Sequence, residues 1–366
     1  MQWNEQVDHD GFFYHFSVQT DFGVFQPEST TSLAILIHEL AAIAAMKKVD
    51  TSDVAIESLK QSGKNTITGV KNLFIHPKET IQGAGQGGSS LFNRARSTVG
   101  TRELTETEDK RLAQFIGITK SKGNIASKYG LSLYTSNNIL QDELDRLAMA
   151  DYLGGISVGL ATSAIPKGAG LMLSVSGTAR LLNETINTTS PAELWAQNEK
   201  KLLAMQVHPD TTELFLNNPA FSPAQQTILI TAMEQMSEVA NRDLFVKVGL
   251  QASTPEMVKI ITEMAVMAAS YHQHVAPLTD FSPMARLPKS RKKDGTVVVI
   301  LPADHVSLTE NVASLAKEIV HNSQKSNVPG YELCLLGTLS DAGQTFFQAM
   351  GWEIHENAQS VLFPKR

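Results

Sequence analysis

Three side chains near the C-terminus have the types and spacing for acid–base chemistry: Asp304, His305 and Ser340. Apolar runs over 296–301 and 331–336 precede them, with a helical pattern in between. If those runs are parallel strands, both following loops emerge at one sheet edge, where the ligand sites of such sheets lie. An imidazole beside a carboxylate can move a proton, and a serine hydroxyl can attack. Together the three would suit hydrolysis of an ester or a phosphate. Ser307, Thr338 and Ser340 at the same edge would suit a bound ligand or anion, because Ser340 can open the last helix, whose free N–H groups attract negative charge. The plainer reading makes Ser307 and Ser340 helix caps, with Asp304 and His305 as turn residues.

Other signatures lack the structural context their chemistry needs. Gly83-Ala84-Gly85-Gln86-Gly87-Gly88 has the glycine spacing of a dinucleotide turn, but 78–82 has no strand character to feed it. Gly155-Ile156-Ser157-Val158-Gly159 has the spacing of a nucleophile elbow, yet a helical pattern precedes it where a strand is required. His38-Glu39 opens a zinc-protease motif, and Ala42 stands where the second ligand belongs. His272 and His274 lie about 200° apart around a helix, so they cannot share an ion while the helix continues. Lys289, Arg291, Lys292 and Lys293 form a basic cluster, expected as a hairpin tip. It would discourage edge pairing, or contact a phosphate or an anionic membrane surface. No metal site and no cofactor are expected.

Composition narrows the classes further. The single cysteine, Cys334, excludes an internal disulfide framework, and a net charge of −6 gives no basic excess to attract nucleic acid. Hydrophobic residues make up 42% of the 366 positions, enough to bury real cores. The most apolar stretch, 152–182, is cut by Pro166-Lys167-Gly168 into halves too short to cross about 30 Å of hydrocarbon. Its glycines suit close approach of two helices, so it reads as a buried helical hairpin.

The expected fold class is α+β. A β-hairpin in 1–27, with its turn at Asp21-Phe22-Gly23, precedes a helical body over 28–276. Helices are expected over 30–48, with Leu33, Ile37, Leu40, Ala41, Ala44 and Ala45 inward, and over 52–61. The segment 66–97 is a sparse amphipathic stretch that either wraps a neighbouring domain or lies on lipid. Further helices are expected over 105–120, 135–153 (Asn137 or Asn138 as cap), 191–206, 223–250 (whole or broken near Arg242) and 254–274. The pattern places Asp142, Glu143, Asp145 and Arg146 on the outer face of the second of these. A small α/β domain over 277–366 follows. Strands are expected at 284–287 and 296–301, a helix behind the capping box Ser307-Leu308-Thr309-Glu310, a strand at 331–336, a helix over 340–350, and one or two closing strands in 352–363.

Several segments together carry a resemblance. They include 16–23 (Phe-Ser-Val-Gln-Thr-Asp-Phe-Gly), 77–83 (Pro-Lys-Glu-Thr-Ile-Gln-Gly), 136–146, Ala150-Asp151, 332–340 and Gly351-Trp352. In these the chain resembles an uncharacterised family of bacterial proteins that are predicted to be exported. The resemblance implies a periplasmic or secreted location and assigns neither activity nor catalytic residues. Relatives open on a secretory leader, whereas residues 1–10 have no basic and apolar run of that kind, so a cytoplasmic location stays open. The reading favoured is an exported binding or scaffold protein working through its surfaces on a protein or envelope partner. A hydrolase built on Asp304, His305 and Ser340 is the first alternative. Peripheral membrane association through 66–92 and the basic cluster is the second.

Overall fold

The computed structural model describes residues 7–49, 106–154, 184–324 and 328–364. The expected helix over 52–61, the segment 66–97 with its glycine motif, and the Gly155–Gly159 motif lie outside the described residues. So do positions 155–182 of the glycine-rich hairpin. Within the described residues the fold is α+β, with small hairpins first, a helical middle and a mixed C-terminal sheet. No helix there is long and apolar enough to cross a membrane.

Contacts divide the chain into two compact units, one of residues 1–33, 198–221 and 225–366, the other of 34–197 and 222–224. In the first unit, β1 (Asp8–His9) pairs antiparallel with β2 (Tyr14–His15), and β3 (Val18–Thr20) with β4 (Gly23–Phe25). The sequence suggested one hairpin. Two form because the chain turns twice, at Asp10–Phe13 and again at Asp21-Phe22, where Thr20 opposes Gly23.

Five strands make the main sheet: β5 (Leu278–Met284), β6 (Leu287–Lys292), β7 (Val297–Leu301), β9 (Tyr331–Leu335) and β11 (Trp352–His355), in the order β11-β9-β7-β6-β5. The last three in sequence run parallel, with Val299 opposite Leu333 and Leu333 opposite Ile354. The Val-Val-Val-Ile core of β7 is buried on both faces, as a central parallel strand must be. On one face Val297, Val299, Leu333 and Leu335 pack with Ala316 and Ile319 of α9 (Glu310–Gln324) and Phe347 of α10 (Asp341–Ala349). Alternation sends Val298, Ile300, Glu332 and Cys334 to the other face, where α8 (Pro255–His274) packs on β7. Thr254 caps α8 by accepting the Met257 N–H, and Pro255 takes the first position, where a missing N–H costs nothing.

Several boundaries differ from expectation. Residues 284–287, expected as one strand, instead turn the β5–β6 hairpin: Met284 ends β5, Ala285 (φ 49°) and Arg286 form the turn, and Leu287 opens β6. Lys289, Arg291 and Lys292 therefore lie within β6 and not at a tip; Lys293 alone of the four follows it. The helical pattern over 223–250 breaks around Arg242, as its sequence allowed: α6 is Pro223–Gln235 and α7 is Leu244–Gly249, with the Ala240 backbone between them bonded to Thr279 and Phe281. α4 (Pro191–Ala204) opens at the expected proline, and a short α5 (Pro209–Leu216), missed in the sequence, starts at His208, whose ring nitrogen accepts the Asp210 N–H. The box at 307–310 starts its helix two residues later than expected, because Thr309 accepts the Val312 N–H as cap. After β11 the chain forms α11 (Gln359–Leu362) instead of a second strand.

The second unit is built on residues 34–46 of α1 (Thr30–Met46), α2 (Glu106–Tyr129) and α3 (Asn138–Gly154). α1 buries Leu36, Glu39, Leu40, Ala42, Ile43, Ala45 and Met46; of the expected stripe Leu40 and Ala45 are buried, Leu33, Ile37 and Ala41 are half-buried, and Ala44 is exposed. Arg146 on α3 donates to the Met46 and Val49 carbonyls, which places a cation at the C-terminal end of α1. Asn137 caps α3, its side-chain oxygen accepting the Ile139 and Leu140 N–H groups. Asp145, expected to face outward, is buried and pairs with the fully buried Lys122 at 2.5 Å.

Candidate functional site

The two loops expected at one sheet edge do emerge together. Beyond β7 and β9, β8 (His305–Val306) and β10 (Thr338–Leu339) pair parallel, with Thr338 opposite His305. Gly337 makes this approach possible: its N–H reaches the Ala303 carbonyl at 2.9 Å. The Thr338 N–H bonds Asp304's carbonyl at 3.1 Å.

The N-terminal segment sits on this edge. Phe12's carbonyl accepts the N–H groups of Asp304 (2.9 Å) and His305 (3.1 Å), and Gly11's carbonyl accepts that of Ser307 (2.9 Å). His9 Nε2 hydrogen-bonds the His305 carbonyl at 2.9 Å, and the Tyr14 ring stacks near the His305 imidazole. The segment therefore occupies the crevice where sheets of this kind hold ligands.

Each expected acid–base residue is engaged there. Asp304 Oδ2 accepts the Tyr14 N–H at 3.2 Å and, at 2.9 Å, the N–H of Thr30 in the first turn of α1. A carboxylate at a helix N-terminus meets otherwise unpaired donors and the positive end of the dipole. The His305 ring Nδ1 lies 2.8 Å from the Thr338 hydroxyl. Ser340 Oγ accepts Leu308 N–H and Gly343 N–H, the latter as cap of α10. The edge thus joins His305 to Thr338, while Asp304 and Ser340 bond to backbone groups of other segments. Ser307 contributes its backbone, bonding Gly11 and the Thr309 N–H.

A second group next to this edge was not anticipated. Lys259 on α8 donates to both the Ser29 hydroxyl and, at 2.7 Å, the Ser32 hydroxyl, and its ammonium lies 5.9 Å from the centre of the Phe13 ring. Ser29 Oγ also donates to Ser32 Oγ at 3.1 Å and accepts the Ser32 N–H, which makes Ser29 the cap of α1. One helical turn on from Lys259, Glu263 buries its Oε2 without a hydrogen-bond partner. Burial pushes the Glu263 carboxyl up to about 7, with Lys259 opposing and the Asp304 charge assisting. Ser29-Thr30-Thr31-Ser32 resembles an ordinary capping sequence, and Lys259 and Glu263 occupy ordinary helical positions. Only the tertiary fold brings them together.

The basic cluster is largely paired. Lys289 Nζ donates to the Pro283 carbonyl, Arg291 lies 3.8 Å from Asp280, and Lys292 bonds Glu332. Glu332, buried in β9, also accepts the Tyr271 hydroxyl, with His355 3.8 Å away and itself 3.4 Å from Glu353. Glu332, Glu353 and His355 offer three ligand atoms close enough for an ion. The Lys292 ammonium, however, already supplies positive charge to Glu332, so these donors do not fit a metal well. A charged residue in the otherwise apolar β9 was the sequence signal for this network. Cys334, on the same face, is buried, and burial with the Glu332 charge pushes its thiol up to about 12, away from reactivity. His272 accepts the Leu278 N–H, and α8 continues through His274, so the two histidines stay on different sides.

In the second unit the carboxylate of the broken zinc motif has a structural role. Glu39 accepts the Thr135 hydroxyl at 2.5 Å and the Asn137 amide at 3.0 Å, and burial raises its pKa against both bonds. His38 bonds the Tyr129 carbonyl. Compared with protein-family models, with curated proteins and with solved structures, the chain matches none.

Proposed function

We propose that this chain is a binding protein that works through the outer surface of its sheet-containing unit. One observation carries the reading: Asp304, His305 and Ser340 are bonded to the chain's own backbone or to Thr338, and the N-terminal segment fills the crevice they border. Groups arranged in this way hold a scaffold in shape. They stabilise through net contributions of about 1 kcal/mol per hydrogen bond, more where a carboxylate accepts. Acid–base catalysis instead needs a side chain within reach of a substrate proton.

The resemblance to exported bacterial proteins supports a place of action outside the cytoplasm. Fractionation of the native host, with N-terminal sequencing of the recovered chain, tests the location. Photo-crosslinkers placed at exposed Leu214 and Val361 test the binding. A discrete adduct at one of these positions in living cells, lost on overexpression of unmodified chain, is expected. Absence of any adduct, together with ester or phosphate turnover abolished by His305→Gln or Ser340→Ala, would replace the reading with the hydrolase one.

A further inference from the structure

We propose that β11 is a docking edge for a second copy of this chain, the two copies pairing antiparallel about a two-fold axis at Ile354. This goes beyond the binding reading, which stands whether or not it holds. The two edges of the sheet differ. At β5 the Ala240 backbone takes the place of a further strand, its N–H donating to the Thr279 carbonyl and its carbonyl accepting the Phe281 N–H. Pro283 in the same strand brings no N–H, which further blunts that edge. β11 pairs with β9 on one side, and among the described residues no strand lies on its other side. It contains no proline, and no shift of register interrupts its pairing with β9. Such an edge offers backbone donors and acceptors to a strand that aligns with it.

The side chains of β11 complement a copy of themselves. A two-fold perpendicular to the sheet keeps every residue on its own face, so the axis must pass at one residue position. Centred on Glu353, it would set two carboxylates against each other, which is unfavourable. Centred on His355, it would set two imidazoles together and leave Glu353 opposite an asparagine. Centred on Ile354, it sets Glu353 opposite the partner's His355 and His355 opposite the partner's Glu353. Within one chain the exposed Glu353 carboxylate already lies 3.4 Å from the His355 ring, so pairing closes a ring of four alternating groups. On the other face the half-buried Ile354 meets its own copy. α10, packed beside β11, exposes Ala342, Thr345, Gln348 and Ala349 after Asp341. A second α10 therefore comes alongside these positions without burying an unpaired charge.

The test is sedimentation velocity on the full-length chain over about 1 to 100 μM, which brackets a micromolar dissociation constant. The mass should rise from one copy to two and stop there, as a closed two-fold requires. Glu353→Lys replaces an acceptor by a cation opposite the partner's His355, twice per dimer. It should raise the dissociation constant about tenfold and leave the melting curve unchanged. Cysteines then read the register. Ile354→Cys should cross-link to its copy under mild oxidation, since directly opposite Cα atoms lie about 5 Å apart. Glu353→Cys should not, since its copy is offset by two residues, beyond the roughly 7 Å a disulfide spans. The buried Cys334 is common to both variants. Should Glu353→Lys unfold the chain, the two cysteine variants decide. The proposal fails if the full-length chain keeps the mass of one copy at the highest concentration, or grows beyond two. It also fails if folded Glu353→Lys dimerises as tightly as wild type, or if Ile354→Cys cross-links no faster than Glu353→Cys.

Discussion

The backbone of Gly337 passes so close to Asp304 that a Cβ on it would lie 1.8 Å from the Asp304 carbonyl oxygen. That contact closes the sheet edge, since it lets β8 and β10 pair and Thr338 reach His305. Gly337→Ala must push the two loops apart and break the bonds from Gly337 and Thr338 to Ala303 and Asp304. A loss of about 2–4 kcal/mol in urea-unfolding stability is expected. A loss under about 0.5 kcal/mol would mean that the loops do not approach in this way.

Asp304 ties the edge to the N-terminal segment and to α1. Asp304→Ala leaves the Tyr14 and Thr30 N–H groups without their carboxylate, and a stability loss of about 1–2 kcal/mol is expected. Asp304→Asn keeps one acceptor oxygen and should lose less. Equal stability of all three chains would show that the carboxylate does not bridge the segments.

Glu263 predicts a pH dependence. Its folded pKa of about 7 exceeds the unfolded value of about 4.3, so the folded state holds the proton more tightly. Stability from this group is therefore fully present below the unfolded pKa, falls as pH rises from about 4.3 to 7, and is level above that. Glu263→Gln should remove the decline and raise stability at pH 8 by about 1–4 kcal/mol, the upper figure being the full linkage for such a shift. Denaturant melts at pH 5 and 8 read both effects. A wild-type stability that rises over this window while the variant's stays flat would contradict the placement of Glu263.

Lys122 and Asp145 form a charge pair inside the helical unit. Lys122→Met leaves Asp145 buried beside an apolar chain, and a loss of about 3–5 kcal/mol is expected. Replacing both, Lys122→Met with Asp145→Leu, should recover most of it, because an apolar pair of similar size avoids the desolvation cost. A double variant as unstable as the single one would indicate other partners for the pair.

The α+β architecture was legible because its signals are local. Val297-Val298-Val299-Ile300 has the composition of a buried parallel strand, and Ser340 and Thr254-Pro255 signal helix starts. The shared edge of β7 and β9 followed from their parallel order, so Asp304, His305, Thr338 and Ser340 were placed in the right part of the fold. Their partners were not legible. Gly11, Phe12 and Thr30 are nearly 300 positions away in the chain and carry no sequence mark of docking there. Asp145 read as an outward charge because periodicity sees only one helix, and Lys122 on another makes its burial tolerable. The Ser32–Lys259 pair escaped notice for the same reason.

The N-terminal segment occupies the crevice at the end of the parallel strands. Residue-resolved amide exchange at Asp304, His305 and Ser307 tests it most directly, since their N–H groups bond Phe12 and Gly11. Exchange slowed to the level of neighbouring β7 amides in the full chain, and fast after removal of residues 1–13, is the predicted result. Unprotected exchange at all three positions in the intact chain would contradict it.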